Sequence, residues 1–204
     1  MLMKRTFDFI AALVGLIVLS PFLAIIAVLV ELDSPGPALF RQERVGIHGK
    51  IFRIFKFRTM TLNAEEKGQI TVGRDMRVTR VGRVLRHFKV DELPQLINVV
   101  LGDMSLVGPR PEVPRYVARY PQGLRETVLS VRPGITDWAS IEFKEENAIL
   151  GKATDPERSY VETILPIKLD YYVRYVRERS FMMDLKIIFL TLLAIAGHQK
   201  KRMS

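Results

Sequence analysis

Asp91-Glu92-Leu93-Pro94-Gln95 carries two adjacent carboxylates at the edge of an apolar run. One carboxylate can attack phosphorus and form an acyl phosphate, while its neighbour holds a hard cation such as Mg²⁺. The same residues also read as a helix start. Pro94 suits a first turn, Asp91 would be the N-cap, and Glu92 would complement the dipole. Arg86 lies shortly before, the last of a series at Arg74, Arg77, Arg80, Arg83 and Arg86. A three-residue step drifts about 60° per arginine around a helix, so they share no single face. The set is either a solvated surface or, at Arg83 and Arg86, an anion clamp.

Two further segments hold arginine in stiff backbone. In Gly102-Asp-Met-Ser-Leu-Val-Gly-Pro-Arg-Pro111, Pro109 and Pro111 fix the chain around Arg110. A preset guanidinium suits planar or phosphate recognition. Arg132-Pro-Gly-Ile-Thr136 repeats that logic, and either segment also reads as a structural turn. Lys56 and Arg58 alternate with Phe55 and Phe57 in a strand-like stretch, Ile51 to Met60. Basic residues between aromatics suit nucleic acid, phospholipid or simply a half-buried strand. His48, His87 and His198 are scattered, and there is no cysteine, Walker loop, GxGxxG or HExxH. Thiolate metal sites and disulfide scaffolds are thereby excluded.

These residues need elements to hold them. The chain has 204 residues, 48% hydrophobic and 26% charged, with a net charge of +9. That composition excludes a disordered or collagen-like chain and suits an acidic partner. Phe9 to Val30 has no charged residue. As a helix it is roughly 33 Å long, the thickness of a bilayer core. The run exceeds a signal peptide's apolar region, and a soluble core helix rarely lacks a polar face over such a length. Ser20-Pro21 predicts a bend in its middle. Lys4 and Arg5 flank one end, and Arg41, Arg44, Lys50, Arg53, Lys56 and Arg58 follow the other. Positive flanks favour the cytoplasm, so two positive ends suit a bent helix that re-enters the face it left as well as an ordinary span.

Asp33-Ser-Pro-Gly-Pro37 ends that element. Ala38 to Val45 and Ile51 to Met60 predict a hairpin around Gly46–Gly49. Asn63 to Val72 reads as a polar loop, and Thr79 caps a helix through Phe88. Another helix runs from about Ile164 to Arg177. Met182, Leu185, Ile188, Phe189, Leu192 and Leu193 recur at helical spacing before a basic tail of His198, Lys200, Lys201 and Arg202. That stripe packs into the core or lies on a membrane.

In order, these segments resemble the bacterial monotopic phosphoglycosyl transferases, the bacterial sugar transferase family. The likeness runs from Lys4-Arg-Thr-Phe-Asp8 and Ser20-Pro21 through Phe55-Lys-Phe-Arg-Thr-Met60 and Asp91-Glu-Leu-Pro-Gln95. It continues through Asn98, Gly102-Asp-Met-Ser105, Gly108-Pro-Arg-Pro111 and Arg132-Pro-Gly-Ile-Thr136 to Phe181-Met-Met-Asp-Leu-Lys186. Each motif is weak alone, and the ordered set is specific.

The resemblance implies a small single-domain form, residues 1–204, of mixed α+β and mainly helical fold. It would have a re-entrant membrane helix at 1–32, broken at Ser20 and Pro21, and a cytoplasmic catalytic part at 38–204 with a small β-hairpin and amphipathic interfacial helices. It implies transfer of a phospho-sugar from a UDP-sugar to polyprenyl (undecaprenyl) phosphate at the inner face of the cytoplasmic membrane, starting a surface glycan. Asp91 would be the nucleophile of a ping-pong reaction, and Glu92 would hold Mg²⁺. Arg86 would bind phosphate, and Pro109, Arg110 and Pro111 the uridine nucleotide, with Lys56 and Arg58 supporting anion binding. A helix start at Asp91 would keep that carboxylate ionised. Two departures stand out. Many relatives have glycine where Asp137 follows Thr136, and Glu142-Phe-Lys-Glu-Glu-Asn147 replaces a short Asn-Gly-Arg segment. Competing readings are a membrane-anchored nucleic-acid or phospholipid binder and a structural export subunit. Neither requires the acid pair. The enzyme reading carries no nucleic-acid partner and leaves the oligomeric state open, an isologous homodimer included.

Overall fold

The computed structural model describes residues 2–64, 75–143 and 146–200, and begins with a 32-residue helix, α1 (Leu2–Asp33). At 1.5 Å per residue it is roughly 48 Å long. By length and composition it is able to cross a membrane. Asp8, Ala12, Ile26 and Val30 are its buried residues, and their spacing puts them on one stripe. Both ends are tied down. Arg5 donates to the Val99 carbonyl at 2.8 Å, and Asp33 accepts from the Val81 N–H at 2.8 Å. The helix therefore lies lengthwise along the rest of the chain. Phe9, Ile10, Val14, Ile17, Val18 and Phe22 face outward.

The helix is not interrupted at Ser20-Pro21. Pro21 lacks the N–H that would reach the Ile17 carbonyl, and the Ser20 hydroxyl donates to that carbonyl at 2.8 Å instead. In an apolar surround no water replaces such a bond, so serine before proline keeps the helix intact.

β1 (Leu39–Val45) and β2 (Ile51–Phe57) form the expected antiparallel hairpin, with Phe40 opposite Lys56 and Val45 opposite Ile51. Arg41 lies over the Phe55 ring, 4.4 Å from its centroid, and Arg53 pairs with Glu43 at 3.5 Å. The hairpin's own side chains thus occupy part of its basic face. α2 (Arg80–His87) is capped as expected by Thr79, whose hydroxyl accepts from the Gly82 N–H at 3.0 Å. α3 (Gln95–Leu101) begins at Pro94 rather than Asp91.

The sequence gives no sign of a second sheet. β3 (Ser105–Val107) pairs in parallel with β4 (Gly134–Thr136), joining the two stiff arginine segments. Glycine permits this approach. A Cβ on Gly134 would lie 2.1 Å from the Gly108 nitrogen, and one on Gly108 would lie 2.5 Å from the Arg132 carbonyl oxygen.

Short helices fill the remainder: α4 (Pro114–Val117), α5 (Gln122–Val128), α6 (Trp138–Glu142), α7 (Glu146–Lys152) and α8 (Pro156–Ser159). α9 (Leu165–Glu178) follows a single π turn and supplies the centre of the largest core, where Leu165, Leu169 and Tyr172 pack with Val117 and Val128. α10 (Phe181–Lys200) buries Ile187 and Asp184 but exposes Met182, Phe189, Leu192 and Leu193. Most of the apolar stripe seen in the sequence therefore faces outward, as an interfacial helix requires. Arg74, most of the Asn63–Val72 loop, Lys144, Glu145, Lys201, Arg202 and the side chains of His198 and Lys200 lie outside the described residues.

Candidate active site

Asp91 and Glu92 sit on a 3-10 turn, Val90–Glu92, between α2 and α3, and both are buried. Lys89 precedes them in the left-handed region at φ 58°. Such a backbone is uncommon outside glycine and is kept where surrounding structure demands it. The expected N-cap role is therefore corrected: Pro94 holds that position, and the acids lie in the turn before the helix.

Glu92 is gripped from two sides. Lys56, on β2, donates to its Oε1 at 2.8 Å. Arg110 forms a fork on the same carboxylate, with Nη2 on Oε1 and Nη1 on Oε2 at 3.3 Å. Burial alone would raise the Glu92 carboxyl, but Arg110 and Lys56 hold it well below the usual range. Glu92 in turn raises Arg110, whereas burial lowers Lys56 despite the pairing.

Asp91 is treated oppositely. It makes no hydrogen bond or ion pair with another described residue. Burial and then the neighbouring Glu92 push its carboxyl upward, against the opposing charges of Lys56 and Arg86. Contrary to expectation, Asp91 does not open the helix but sits on the turn before it, and its carboxyl is raised rather than lowered. The pair has split into one strongly acidic, clamped carboxylate and one less acidic, unclamped carboxylate.

Three supports fix this geometry. Arg86, half-buried, donates from Nε to the Thr59 hydroxyl at 2.8 Å, and burial lowers its guanidinium. Asn98 is fully buried. It accepts from the Phe55 N–H and donates to the Arg53 carbonyl, both at 2.9 Å, which pins α3 to β2 beside Lys56. Pro109 accepts from the Gly134 N–H at 2.9 Å, and Pro111 from Arg44 at 3.0 Å. Both carbonyls flanking Arg110 are thus occupied.

Lys56, Glu92 and Arg110 are in direct contact, with Asp91 and Arg86 in the same electrostatic field. Arg58 is elsewhere. It is buried, donating to Ser34 at 2.6 Å, to Gly36 at 3.0 Å and to Pro35, so the expected anion-binding role is corrected. β2 ends at Phe57, and past that point strand alternation no longer directs side chains. Asp137 caps α6, accepting from the Ser140 N–H at 3.0 Å and its hydroxyl at 2.6 Å. Sequence reasoning missed Thr59 and the bridging by Asn98. A lone asparagine inside Leu96-Ile-Asn-Val99 was the available signal for the second.

No three His, Cys, Asp or Glu side chains group into a self-sufficient metal site among the described residues. Mg²⁺ at phosphoryl-transfer sites needs only one or two carboxylates, with substrate phosphates and water completing the shell. Glu92 fits that use, since its Oε2 makes only the longer of the two Arg110 contacts.

A buried, unclamped acid beside a clamped acid, with Lys56, Arg86 and Arg110 close by, defines a candidate anion-handling site. The chain belongs to the bacterial sugar transferase family, which residues 1–198 match. It is 41% identical over 195 residues to a UDP-N-acetylgalactosamine-undecaprenyl-phosphate N-acetylgalactosaminephosphotransferase of Aeromonas hydrophila, covering 94% of this chain and 43% of that protein. It is 41% identical over 194 residues to the UDP-glucose:undecaprenyl-phosphate glucose-1-phosphate transferase of Escherichia coli K12, covering 93% and 39%. It spans less than half the length of these two relatives. An exopolysaccharide production protein, PSS, of Rhizobium leguminosarum is 37% identical and is matched over 95% of both chains.

Proposed function

We propose that this protein transfers a sugar phosphate from a UDP-sugar to undecaprenyl phosphate, through a covalent aspartyl intermediate, at the cytoplasmic face of the bacterial inner membrane. The carrying observation is the unclamped, buried Asp91 beside a Glu92 held by Lys56 and Arg110. An Asp91 carboxylate oxygen attacks the β-phosphorus of the UDP-sugar. The bond from that phosphorus to the bridging oxygen breaks, and UMP leaves with the bridging oxygen and its electron pair. A phosphate oxygen of the lipid then attacks the aspartyl phosphorus, and the Asp91–phosphorus bond breaks. The products are undecaprenyl-diphosphate-sugar and regenerated Asp91, and the kinetics are ping-pong.

Arg110 and Lys56 stand ready to donate to the diphosphate, exchanging the Glu92 carboxylate for phosphate oxygens. Arg86 supplies positive charge beside Asp91. Mg²⁺, held by Glu92 and the substrate, would neutralise diphosphate charge. Burial keeps the attacking carboxylate poorly solvated and water away from the acyl phosphate.

The attachment of both ends of α1 to one body supports a helix that enters and leaves the membrane by one face. Arg5 and Asp33, near its two ends, both bond to the same domain, which favours this reading over a simple span.

The test is intact-protein mass after mixing the full chain in detergent with Mg²⁺ and a panel of UDP-sugars, without lipid acceptor. Wild type should gain one phospho-sugar, and Asp91→Asn should gain none. UMP release that requires lipid and leaves no adduct would replace the covalent route with direct transfer.

A further inference from the structure

Away from the acid pair, two of the other buried carboxylates face each other across α1 and α10. Asp8, on α1, and Asp184, on α10, are 3% and 4% exposed. Lys4 reaches both, at 2.7 Å from Asp184 and 3.7 Å from Asp8. The Tyr175 hydroxyl donates to Asp184 at 2.7 Å, and the Ser105 hydroxyl to Asp8 at 2.6 Å. Phe7 packs edge-on against Phe181 alongside, with centroids 5.3 Å apart. The sequence reads Lys4 as a flanking charge for the membrane, and the structure pairs this half-buried ammonium with the protein's own carboxylates.

The cluster closes on one backbone group. The Val107 carbonyl accepts from Lys4 Nζ at 3.2 Å, and the Tyr175 hydroxyl lies 3.1 Å away. Val107 is the last residue of β3, and Gly108-Pro109-Arg110 follows it. Gly108 donates to the Thr136 carbonyl at 3.1 Å, which fixes the loop from its other side. A side chain from the membrane helix, one from α9 and one from α10 thus meet at the root of the loop that carries Arg110.

We propose that Lys4 is a positioning residue for Arg110. With Asp8, Asp184, Tyr175 and Ser105 it forms a half-buried ionic latch that holds the Val107 carbonyl and so ties the seating of α1 to the placement of the Arg110 guanidinium. The proposal rests on the reading of Arg110 as a contact for the nucleotide diphosphate. Lys4 is the only ion-pair partner of Asp184 among the described residues, and Asp8 otherwise has only the charge of Arg5 nearby, so loss of Lys4 leaves Asp184 unpaired and Asp8 weakly compensated. The latch relaxes by releasing Ser105 and Val107, the two ends of β3. Arg110 is three residues from the released carbonyl. Its fork on Glu92, or on a phosphate in its place, is sensitive to small displacements.

The experiment uses the full chain in detergent and four variants: Lys4→Met, Lys4→Arg, Tyr175→Phe, and Lys4→Met with Asp184→Leu. Two readouts are taken. One is hydrogen exchange at the Gly108 amide, with the Arg125 amide in α5 as internal reference. The other is the dissociation constant for UDP, backed by KM and kcat for the UDP-sugar. In Lys4→Met, Gly108 exchange should accelerate relative to Arg125, UDP binding should weaken by about tenfold, and KM should rise with kcat retained. Lys4→Arg should restore most of each, and Tyr175→Phe should shift both in the same direction by less. If Lys4→Met does not fold, Tyr175→Phe and the charge-balanced double variant carry the test. A lowered thermal midpoint with unchanged UDP binding and unchanged relative Gly108 exchange would overturn the proposal, leaving an anchor and nothing more. Absence of UDP binding in wild type would defeat the functional reading instead, and Gly108 exchange would then decide the latch alone.

Discussion

Replacing Glu92 by glutamine removes one charge and keeps the shape. In the folded protein it leaves Lys56 and Arg110 facing each other without the anion that both now share. Breaking one partner of a buried pair costs about 3–5 kcal/mol. Two features reduce this. The Arg110 side chain is 29% exposed, and the glutamine oxygen still accepts one hydrogen bond. An expected loss of about 2–3 kcal/mol follows, equivalent to roughly 5–10 °C in the thermal midpoint of a chain this size. The assay is thermal unfolding in EDTA at neutral pH, which separates the clamp from any metal contribution. Lys56→Met should cost less when added to Glu92→Gln than in wild type, because the pair is already broken. The pH dependence has a definite sign. Glu92 has its carboxyl lowered in the folded state, so its contribution is complete above the ordinary glutamate range and is lost as pH falls through the lowered folded value. The gap between wild type and Glu92→Gln should therefore close on acidification. A midpoint change below about 1 °C in EDTA, or full additivity with Lys56→Met, would refute the clamp.

Asp91→Asn should abolish the phospho-sugar adduct yet raise stability at neutral pH. A carboxyl raised in the folded state is a penalty that is complete above its folded value and disappears below the unfolded one, so the gain should shrink as pH falls in denaturant titrations. Arg58→Met should destabilise the fold by about 1–3 kcal/mol, through the orphaned carbonyls of the 34–36 turn. The fraction that remains folded should bind UDP as wild type does, whereas Lys56→Met should bind it more weakly. Gly134→Ala should disrupt β3–β4 pairing, since its Cβ would lie 2.1 Å from the Gly108 nitrogen. The expected readout is a loss of at least about 1–3 kcal/mol together with a raised UDP dissociation constant. Ser20→Ala should destabilise the protein by about 1 kcal/mol in lipid bilayers and by less in water-accessible micelles, because only the bilayer denies the Ile17 carbonyl another donor.

What could be read from sequence was local. Thr79 announces its helix because a hydroxyl in that position satisfies an N–H only a few residues away. The hairpin follows from alternating residues around a turn at Gly46–Gly49. The meeting of Asp91, Glu92, Lys56 and Arg110 came from the order of motifs, since no spacing rule joins β2 to the loop after β3. Illegible features were long-range. β3 and β4 have three residues each, too short for any periodicity to appear, and glycine and proline disguise them as turns. Lys56 and Arg58 share strand parity and look alike in sequence. The end of β2 at Phe57 separates them, sending one into the site and the other to the 34–36 turn. Asp91 misled in a different way. An acid before a proline is usually a cap, but the left-handed Lys89 and the 3-10 turn move it out of capping position and leave its oxygens unspent.

The reason for expecting α1 to return to one face also changes. Charge counting used Lys4 and Arg5 as a positive flank, yet Lys4 is paired with Asp184, and Arg5 is consumed by the carbonyls that close α3. Both side chains are thus engaged by the protein itself rather than held out solely as a flank for anionic headgroups. The same two contacts supply a stronger argument. They fix the beginning of α1 to α3 and α10, while Asp33 fixes its end to α2, and α2 and α3 flank the acid pair. The apolar helix is therefore built into the support of the site rather than tethered to it. On the proposed function, a lipid acceptor arriving along the exposed face of α1 would meet residues whose positions that helix already helps to set.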